Sequence, residues 1–397
     1  MKKAIMFGAG AIGRGFIGQT FSQSGYHVTF VDIFPSVIDA LNEQGRYPVQ
    51  IVSEQQVETV WVGPVSGLLS GDTDAVADAI ADADLMATAV GVNALKAVAP
   101  TLAAGFSRRW QNGNLRPLDV IVCENKLDAD KYLRELVRPH LPAAEQPKLD
   151  ELIGFVEASI GRMVPVMPDA LKKEQPLLIQ VEPYHDLPVD AAGFRGPVPD
   201  LIALKPFAPF DFFIKRKLFV HNLGHAVTAY LGWLKHCSTI AEAVQDPEIR
   251  LLARRAMMES AVALSRYYQV PLEELTAHVD DLLGRFANRR LGDTVARVGR
   301  DPMRKLSIDD RLAGALRFSL QQGVEPQATA LGLAAGLLFD SADDPAAVTM
   351  QEMIAKDGAD AFLINHAGLA GSSELDLWRG IALTLKQALA FSLTPNK

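Results

Sequence analysis

Cysteine is nearly missing from this chain: 397 residues hold two, Cys123 and Cys237. That number excludes a disulfide scaffold and fits a reduced, cytoplasmic setting. Long apolar runs are missing too. The segment ALGLAAGLLF, residues 330–339, is half the roughly 20 residues a membrane span requires and reads as a buried helix, so no membrane partner is expected. Positive charge is in deficit, with 39 Lys and Arg against 47 Asp and Glu, a net charge of -8 and a pI near 5.6. A general nucleic-acid partner is thereby disfavoured. Internal repeats and low-complexity tracts are also lacking. The opening MKKAIMFGAGAIG resembles a leader peptide only superficially, because glycines interrupt its apolar stretch where a nucleotide loop needs them.

What is present is a globular composition, 49% hydrophobic and 22% charged, in a chain too long for one ordinary core. Two domains are expected, 1–205 and 206–397. In the first, KAIMFG, HVTFV, DLMATAV, DVIVCEN and ELIGFVEA read as buried strands alternating with helices, the pattern of a parallel sheet. VQIV and VETVWVG read as an antiparallel insertion. A stretch carrying Pro183, Pro188, Pro197, Pro199, Pro206 and Pro209 marks the exit from this domain. From about Phe212 the apolar periodicity is helical. The fold class is thus α/β, a parallel sheet with extra strands followed by a mostly α-helical domain.

Gly8, Gly10, Ala11, Ile12 and Gly13 form a G-x-G-x-x-G turn between the first strand and a helix, and Asp32 closes the second strand 19 residues after Gly13. In that context glycines admit the pyrophosphate to backbone N–H groups, the helix N-terminus favours its charge, and Asp32 accepts from ribose hydroxyls. The competing reading, a turn that only packs strand on helix, leaves Asp32 unexplained. No arginine follows Asp32 to hold a 2′-phosphate, so NAD is the expected cofactor. Thr88, Val90 and Gly91 end one strand and Asn125 the next, where ligands bind in open parallel sheets. An isolated Asn there is equally a turn residue.

The run KLFVHNLGH spans Lys217 to His225. On an ideal helix Lys217, His225 and Asn222 project at about 0°, 80° and 140°, so one face presents a base, an imidazole and an amide. With a dinucleotide fingerprint upstream, this suggests hydride transfer with Lys217 as proton acceptor. Capping or solvated roles are the ordinary alternative. His221 and His225 stand four apart, a zinc-compatible spacing, but no HExxH, Cys or further ligand cluster supports a metal, and none is expected. The one local concentration of cations is RFANRRLGDTVARVGRDPMRKLSIDDR, from Arg285 to Arg311. It suits phosphate or carboxylate binding, although Asp293, Asp301, Asp309 and Asp310 are placed to neutralise about half of it.

These segments resemble the polyol-specific long-chain dehydrogenases nearly end to end: FGAGAIGRGFIG, TAVG, CEN, KLFVHNLGHAVTAYLG, LLGRF and RVGRDPMRKLSIDDRL. The K-x4-N-x2-H pattern is the family's specific mark. The resemblance implies an active site between a Rossmann domain and a helical domain, and no catalytic metal. It implies Lys217 as general base, Asn125 and Asn222 stabilising an alkoxide, and His225 positioning the substrate. Arg297 and Lys305 match basic residues that bind substrate. The reaction it implies is NAD-dependent interconversion of D-mannitol 1-phosphate and D-fructose 6-phosphate, with a small sugar phosphate as the partner and a monomer compatible with the sequence. The alternatives are an unphosphorylated polyol or a sugar acid of tagaturonate or mannonate type, and a NAD-binding sensor without catalysis. One departure stands out. Relatives commonly carry an Asp before the Arg in S-x-V-D-R-I-V-P, where this chain has Gly161 in Ser159-Ile160-Gly161-Arg162; Glu124 or water is then the substitute for that carboxylate.

Overall fold

The computed structural model describes residues 1–165, 167 and 169–392. The chain divides into two compact units, Met1–Asp211 and Phe212–Lys397.

The first unit is built on a six-stranded parallel sheet. Its strands are β1 (Lys2–Phe7), β2 (Tyr26–Asp32), β5 (Val65–Leu69), β6 (Leu85–Thr88), β7 (Leu118–Val122) and β8 (Ile153–Glu157). Their order is β5-β2-β1-β6-β7-β8, and every neighbouring pair is parallel. Strand alternation sends β1 side chains into two separate cores. Ala4 and Met6 pack with Phe16, Val28 and Phe30 on one face, and Ile5 and Phe7 with Ile80, Leu102 and Phe106 on the other. The connections reverse direction between β1 and β6, so the crevice past their C-terminal ends is the place for a ligand.

The five expected strands are all present. So is the antiparallel insertion, as β3 (Tyr47–Val52) and β4 (Val57–Val62), with Val49 opposite Val60. Strand β5 has no counterpart in the sequence reading. Its run is interrupted by Gly67, where a Cβ would sit 2.9 Å from Ile38 Cδ1; glycine is needed because the Pro35–Gln44 helix crosses there. The proline-rich stretch also hides strands. Pro188 lies in β10 (Leu187–Asp190) and Pro206 in β11 (Leu204–Phe207), a two-stranded parallel sheet in which both are edge strands that tolerate a missing N–H; Val189 of β10 also bridges Ala158. A short β9 (Ile179–Val181) pairs with β3.

The second unit is helical. Its long elements are Leu223–Leu234, Pro247–Tyr268, Leu272–Phe286, Gln327–Gly336, Pro345–Asp357 and Ser373–Ser392. Their ends are chemically marked. Asp246 accepts from the N–H groups of Glu248 and Ile249 ahead of Pro247, a sequence-legible cap. Glu259 accepts from the N–H groups of Ala328 and Thr329 at 2.7 and 2.9 Å, capping the Gln327–Gly336 helix from a neighbouring one. That helix lies in the apolar 330–339 run, and Ala330, Leu333, Ala334 and Ala335 are buried. No helix among the described residues is long and apolar enough to cross a membrane.

Gly13 ties β1 to the helix that follows, because a Cβ there would collide with the Gly8 carbonyl oxygen. Gly13→Ala is therefore expected to destabilise the first unit by about 1–3 kcal/mol and to abolish dinucleotide binding. Thermal unfolding and NADH fluorescence titration check this; an alanine variant that binds NADH normally would refute it.

Candidate active site

The glycine loop of the first unit is open where a phosphate must enter. Gly8 holds φ +99°, and its peptide N–H bonds Val31 O at 2.8 Å. A Cβ at Gly10 would meet nothing within 4 Å. The first helical turn then presents the unpaired N–H groups of a helix start. Asp32 fixes this loop directly: Oδ2 accepts from Ala9 N at 2.6 Å, and Oδ1 from Ile33 N at 2.7 Å. Its carboxylate is half-buried beside the loop, compatible with a ribose. Ile33 and Phe34, 70% and 59% exposed, form an apolar shelf after Asp32, suited to the flat face of an adenine. Neither was singled out in the sequence, where they read only as a strand end.

Arg14 was missed as well. It is buried, and its Nε donates to Ala9 O at 2.6 Å while Nη1 donates to Pro176 O at 3.1 Å. Burial lowers its pKa, partly offset by Asp32 and Tyr47. A cation thus does stand near Asp32, but two of its donors are spent on backbone carbonyls. The G-R-G spacing placed it one residue past the fingerprint, and that was its only signal.

Thr88 is fully buried at the end of β6, and Val90 and Gly91 follow, with Gly91 at φ +88°. The Glu124 carboxylate accepts from Val90 N and Gly91 N, both at 2.9 Å. Asn125 is the next residue. The departure at Gly161, where relatives commonly carry Asp, has a spatial counterpart: a Cβ on Gly161 would lie 3.2 Å from the Tyr184 ring. Glu124 has both oxygens engaged with backbone, so its proton-transfer role as a substitute gains no support.

In the second unit the backbone departs from the ideal helix assumed for the projection. Lys217–Asn222 is a π-helical turn and the α-helix begins at Leu223. With i→i+5 hydrogen bonding, residues five apart come toward one face, so Lys217 and Asn222 are brought closer in projection than the 140° of an α-helix. Such wide turns recur at functional sites.

Around this turn cations predominate, with Asp293 and Asp310 among them. Burial of the Lys217 amine, aided by the Arg311 guanidinium, lowers its pKa to about 8. His225 is lowered to about 3, first by burial and then by Arg297, Arg311, Lys305 and Arg285. Its imidazole is neutral at neutral pH, stacked on Phe286 at 4.8 Å and 11°. The Nε2 atom stands 3.4 Å from Asp293 Oδ2 but makes no hydrogen bond; with a neutral ring this is proximity, not an ion pair. His221 is buried, its ring 6.2 Å from that of His225, and burial likewise lowers its pKa. Among the described residues no group of three or more His, Cys, Asp or Glu is arranged to hold a metal ion.

The basic segment is folded against the same helix. Ile240 N donates to Asp293 O and Val295 N to Ser238 O, while Tyr230 hydroxyl donates to Gly299 O at 3.1 Å. Several of its cations are neutralised as anticipated. Arg297 pairs with Asp293, Arg304 with Asp301 and Asp310, and Arg311 with Asp310 at 2.7 Å. Lys305 differs. It is 6% exposed, and burial with Arg311 and Arg304 nearby lowers its pKa to about 8. The structure therefore assembles Lys217, His225, Lys305, Arg297 and Arg311 into one electrostatic group, with Phe286 as the stacking partner that spacing alone did not reveal.

A glycine-loop parallel sheet and a helical unit carrying Lys-Asn-His on a wide turn have close counterparts among known proteins. The model of the mannitol dehydrogenase Rossmann domain matches residues 2–203, and that of the mannitol dehydrogenase C-terminal domain matches residues 210–374. The chain belongs to the mannitol dehydrogenase family. A curated relative from Bacillus licheniformis, named mannitol-1-phosphate 5-dehydrogenase, is 40% identical over 367 residues, 92% of this chain and 95% of its own. Among solved structures, a D-sorbitol dehydrogenase in substrate-free form shares the fold at TM-score 0.78 and 15% identity, over 99% of this chain and 94% of its own. Pseudomonas fluorescens mannitol 2-dehydrogenase, in a ternary complex with NAD and D-mannitol, does so at 0.71 and 16%, over 99% and 93%.

If the cation beside Lys217 depresses its amine, Arg311→Met must raise that pKa, because it removes a positive charge and frees the Asp310 carboxylate. Competitive acetylation of Lys217 across pH, read by peptide mass, is expected to titrate near 8 in the parent and higher in the variant. An unchanged midpoint would refute the coupling.

Proposed function

We propose that this chain is a NAD-dependent dehydrogenase that interconverts D-mannitol 1-phosphate and D-fructose 6-phosphate. The observation that carries the chemistry is the Lys217 amine, buried among cations with its pKa lowered to about 8. A lysine in that range is neutral often enough to accept a hydroxyl proton and charged often enough to return it. The choice of substrate rests on the 40% identical relative and on Lys305, a buried cation that makes no salt bridge among the described residues.

In this reading the first unit binds the dinucleotide. Gly8, Gly10 and Gly13 shape the loop, Ala11 and Ile12 offer N–H groups to the pyrophosphate, Asp32 takes the ribose hydroxyls, and Thr88, Val90 and Gly91 line the far side. The bound nicotinamide gives or takes the hydride. Asp32 would repel a 2′-phosphate, and the donors of Arg14 are turned to Ala9 and Pro176, which supports NAD over NADP. The second unit supplies the proton chemistry. Lys217 accepts the proton of the C5 hydroxyl of mannitol 1-phosphate during oxidation and donates a proton to the same oxygen, the C2 carbonyl of fructose 6-phosphate, during reduction. Amide N–H groups of Asn222 and Asn125 stabilise the negative charge that develops on that oxygen. His225, neutral and stacked on Phe286, orients the substrate by hydrogen bonding, since a ring with a pKa near 3 is uncharged at working pH and offers one N–H donor and one acceptor.

Wild-type protein is expected to reduce fructose 6-phosphate with NADH far faster than fructose or tagaturonate, and faster than with NADPH; equal use of fructose would refute the sugar-phosphate reading. Asp32→Ser is expected to narrow the NADH preference. Lys217→Ala should lower kcat about 10²–10⁴-fold with NADH affinity kept. Oxidation needs the neutral amine, so it should rise as pH climbs through about 8, and reduction should fall over the same range.

For the phosphate, Lys305→Ala is expected to weaken fructose 6-phosphate binding by about 1.5–3 kcal/mol, roughly ten- to more than a hundredfold. Arg297→Ala should cost less, because Arg297 is already paired with Asp293. Isothermal titration with both variants checks the order, and the reverse order would move the phosphate to Arg297.

A further inference from the structure

Two loops carry the parts of the reaction assigned to the first unit. The loop after β6 presents Val90 and Gly91 to the dinucleotide, and the loop after β7 presents Asn125. One side chain joins them. Glu124, only 7% exposed, reaches from the second loop to the first, and each of its oxygens takes one backbone N–H, Oε1 from Val90 and Oε2 from Gly91, both at 2.9 Å. Gly91 sits at φ +88° with open space where a Cβ would point. The loop after β6 is therefore permissive by itself and is held in this form by an external acceptor.

The chemistry of that acceptor is specific. Two adjacent peptide N–H groups need two acceptor atoms side by side. A carboxylate provides them, whereas a carboxamide of the same shape provides one and turns an NH2 group against the other N–H. Burial of the charge is costly and pushes the Glu124 pKa up, and the two N–H bonds pull it back. An apolar contact or a neutral side chain would join two loops without that cost. The charge is retained where loss of the second acceptor would free one N–H and allow the strap to rotate.

We propose that Glu124 is a positioning residue for the reaction: its two-pronged hold on Val90 and Gly91 fixes the backbone on which the neighbouring Asn125 is carried, so the amide that stabilises the developing alkoxide is set by the same contact that sets the cofactor-binding loop. This rests on the roles proposed above for Asn125, Val90 and Gly91. Glu124 touches no reacting atom; it acts through Asn125.

A double-mutant cycle tests this. Glu124→Gln is expected to lower kcat about 10–100-fold, the scale on which a misplacement near 1 Å acts, with KM for the sugar changed much less. NADH should bind several-fold more weakly, because the Gly91 strap is loosened. In an Asn125→Ala background, Glu124→Gln should lower kcat little further, since residues that act as one unit are not additive. A purely structural tie would instead lower the melting temperature and leave kcat per folded molecule intact, or would lower kcat by the same factor in both backgrounds; either result overturns the proposal. Where Glu124→Gln fails to fold, Glu124→Asp enters the same cycle, keeping the charge with a shorter reach. The cycle is read on whichever polyol the wild type oxidises fastest. A wrong substrate assignment then shows as wild-type silence on fructose 6-phosphate and leaves the cycle readable. The pH arm follows from the raised pKa: dinucleotide affinity in the wild type should fall on acidification at a pH above the range of an exposed glutamate, and Glu124→Gln should lose that acid limb. An acid limb that persists in the variant counts against Glu124 as its source.

Discussion

An ammonium removed from water and set beside guanidinium groups is the condition on which the second unit's chemistry turns. Lys217 would keep its proton at any physiological pH if it were solvated. Burial and Arg311 together bring it to about 8. The same field keeps His225 neutral, which leaves its ring free to stack and hydrogen-bond instead of competing for a proton. The field has to be contained, however, and Asp293, Asp301 and Asp310 do this by pairing with the outer arginines. What remains is a graded arrangement: neutralised cations at the rim and desolvated lysines inside.

The first unit solves a different problem with backbone rather than charge. Its ligand loop consists of peptide groups that must be held apart from one another yet remain open. Asp32 and Glu124 hold them, each carboxylate spending its oxygens on N–H groups of a strand-end loop. Asp32, proposed to take the ribose hydroxyls, is thereby also a brace for the glycine turn.

Much of this was readable in advance, for reasons that differ by element. β6, β7 and β8 are buried on both faces, and β1 over its last four residues, so their sequences are largely apolar runs, whereas β2 alternates buried and half-buried residues. The glycine turn and Asp32 were legible because the spacing itself is the constraint. β5 was not, because Gly67 serves the helix crossing above it and erases the strand pattern. β10 and β11 were masked by Pro188 and Pro206, which edge strands tolerate. The spacing of Lys217, Asn222 and His225 was legible, but an α-helical projection does not hold for Lys217–Asn222, since nothing in KLFVHN announces a π turn. Phe286, Arg14 and the reach of Glu124 were invisible for a simpler reason. Each acts through a neighbour distant in sequence, and single-sequence periodicity carries no information about such pairs.

The wide turn at Lys217–Asn222 also sets how this segment tolerates change in length. A π turn holds one residue more than the α turn it replaces. Loss of a single residue there would let the backbone close into an α turn and leave the helix downstream in place, since the wide turn already holds the surplus residue. The Leu223–Leu234 helix is kept from sliding by a contact outside the turn: at Gly224 the missing side chain lets Met257 lie against the backbone, and any other residue brought to that point would meet the thioether. A change of length is therefore absorbed within the turn itself.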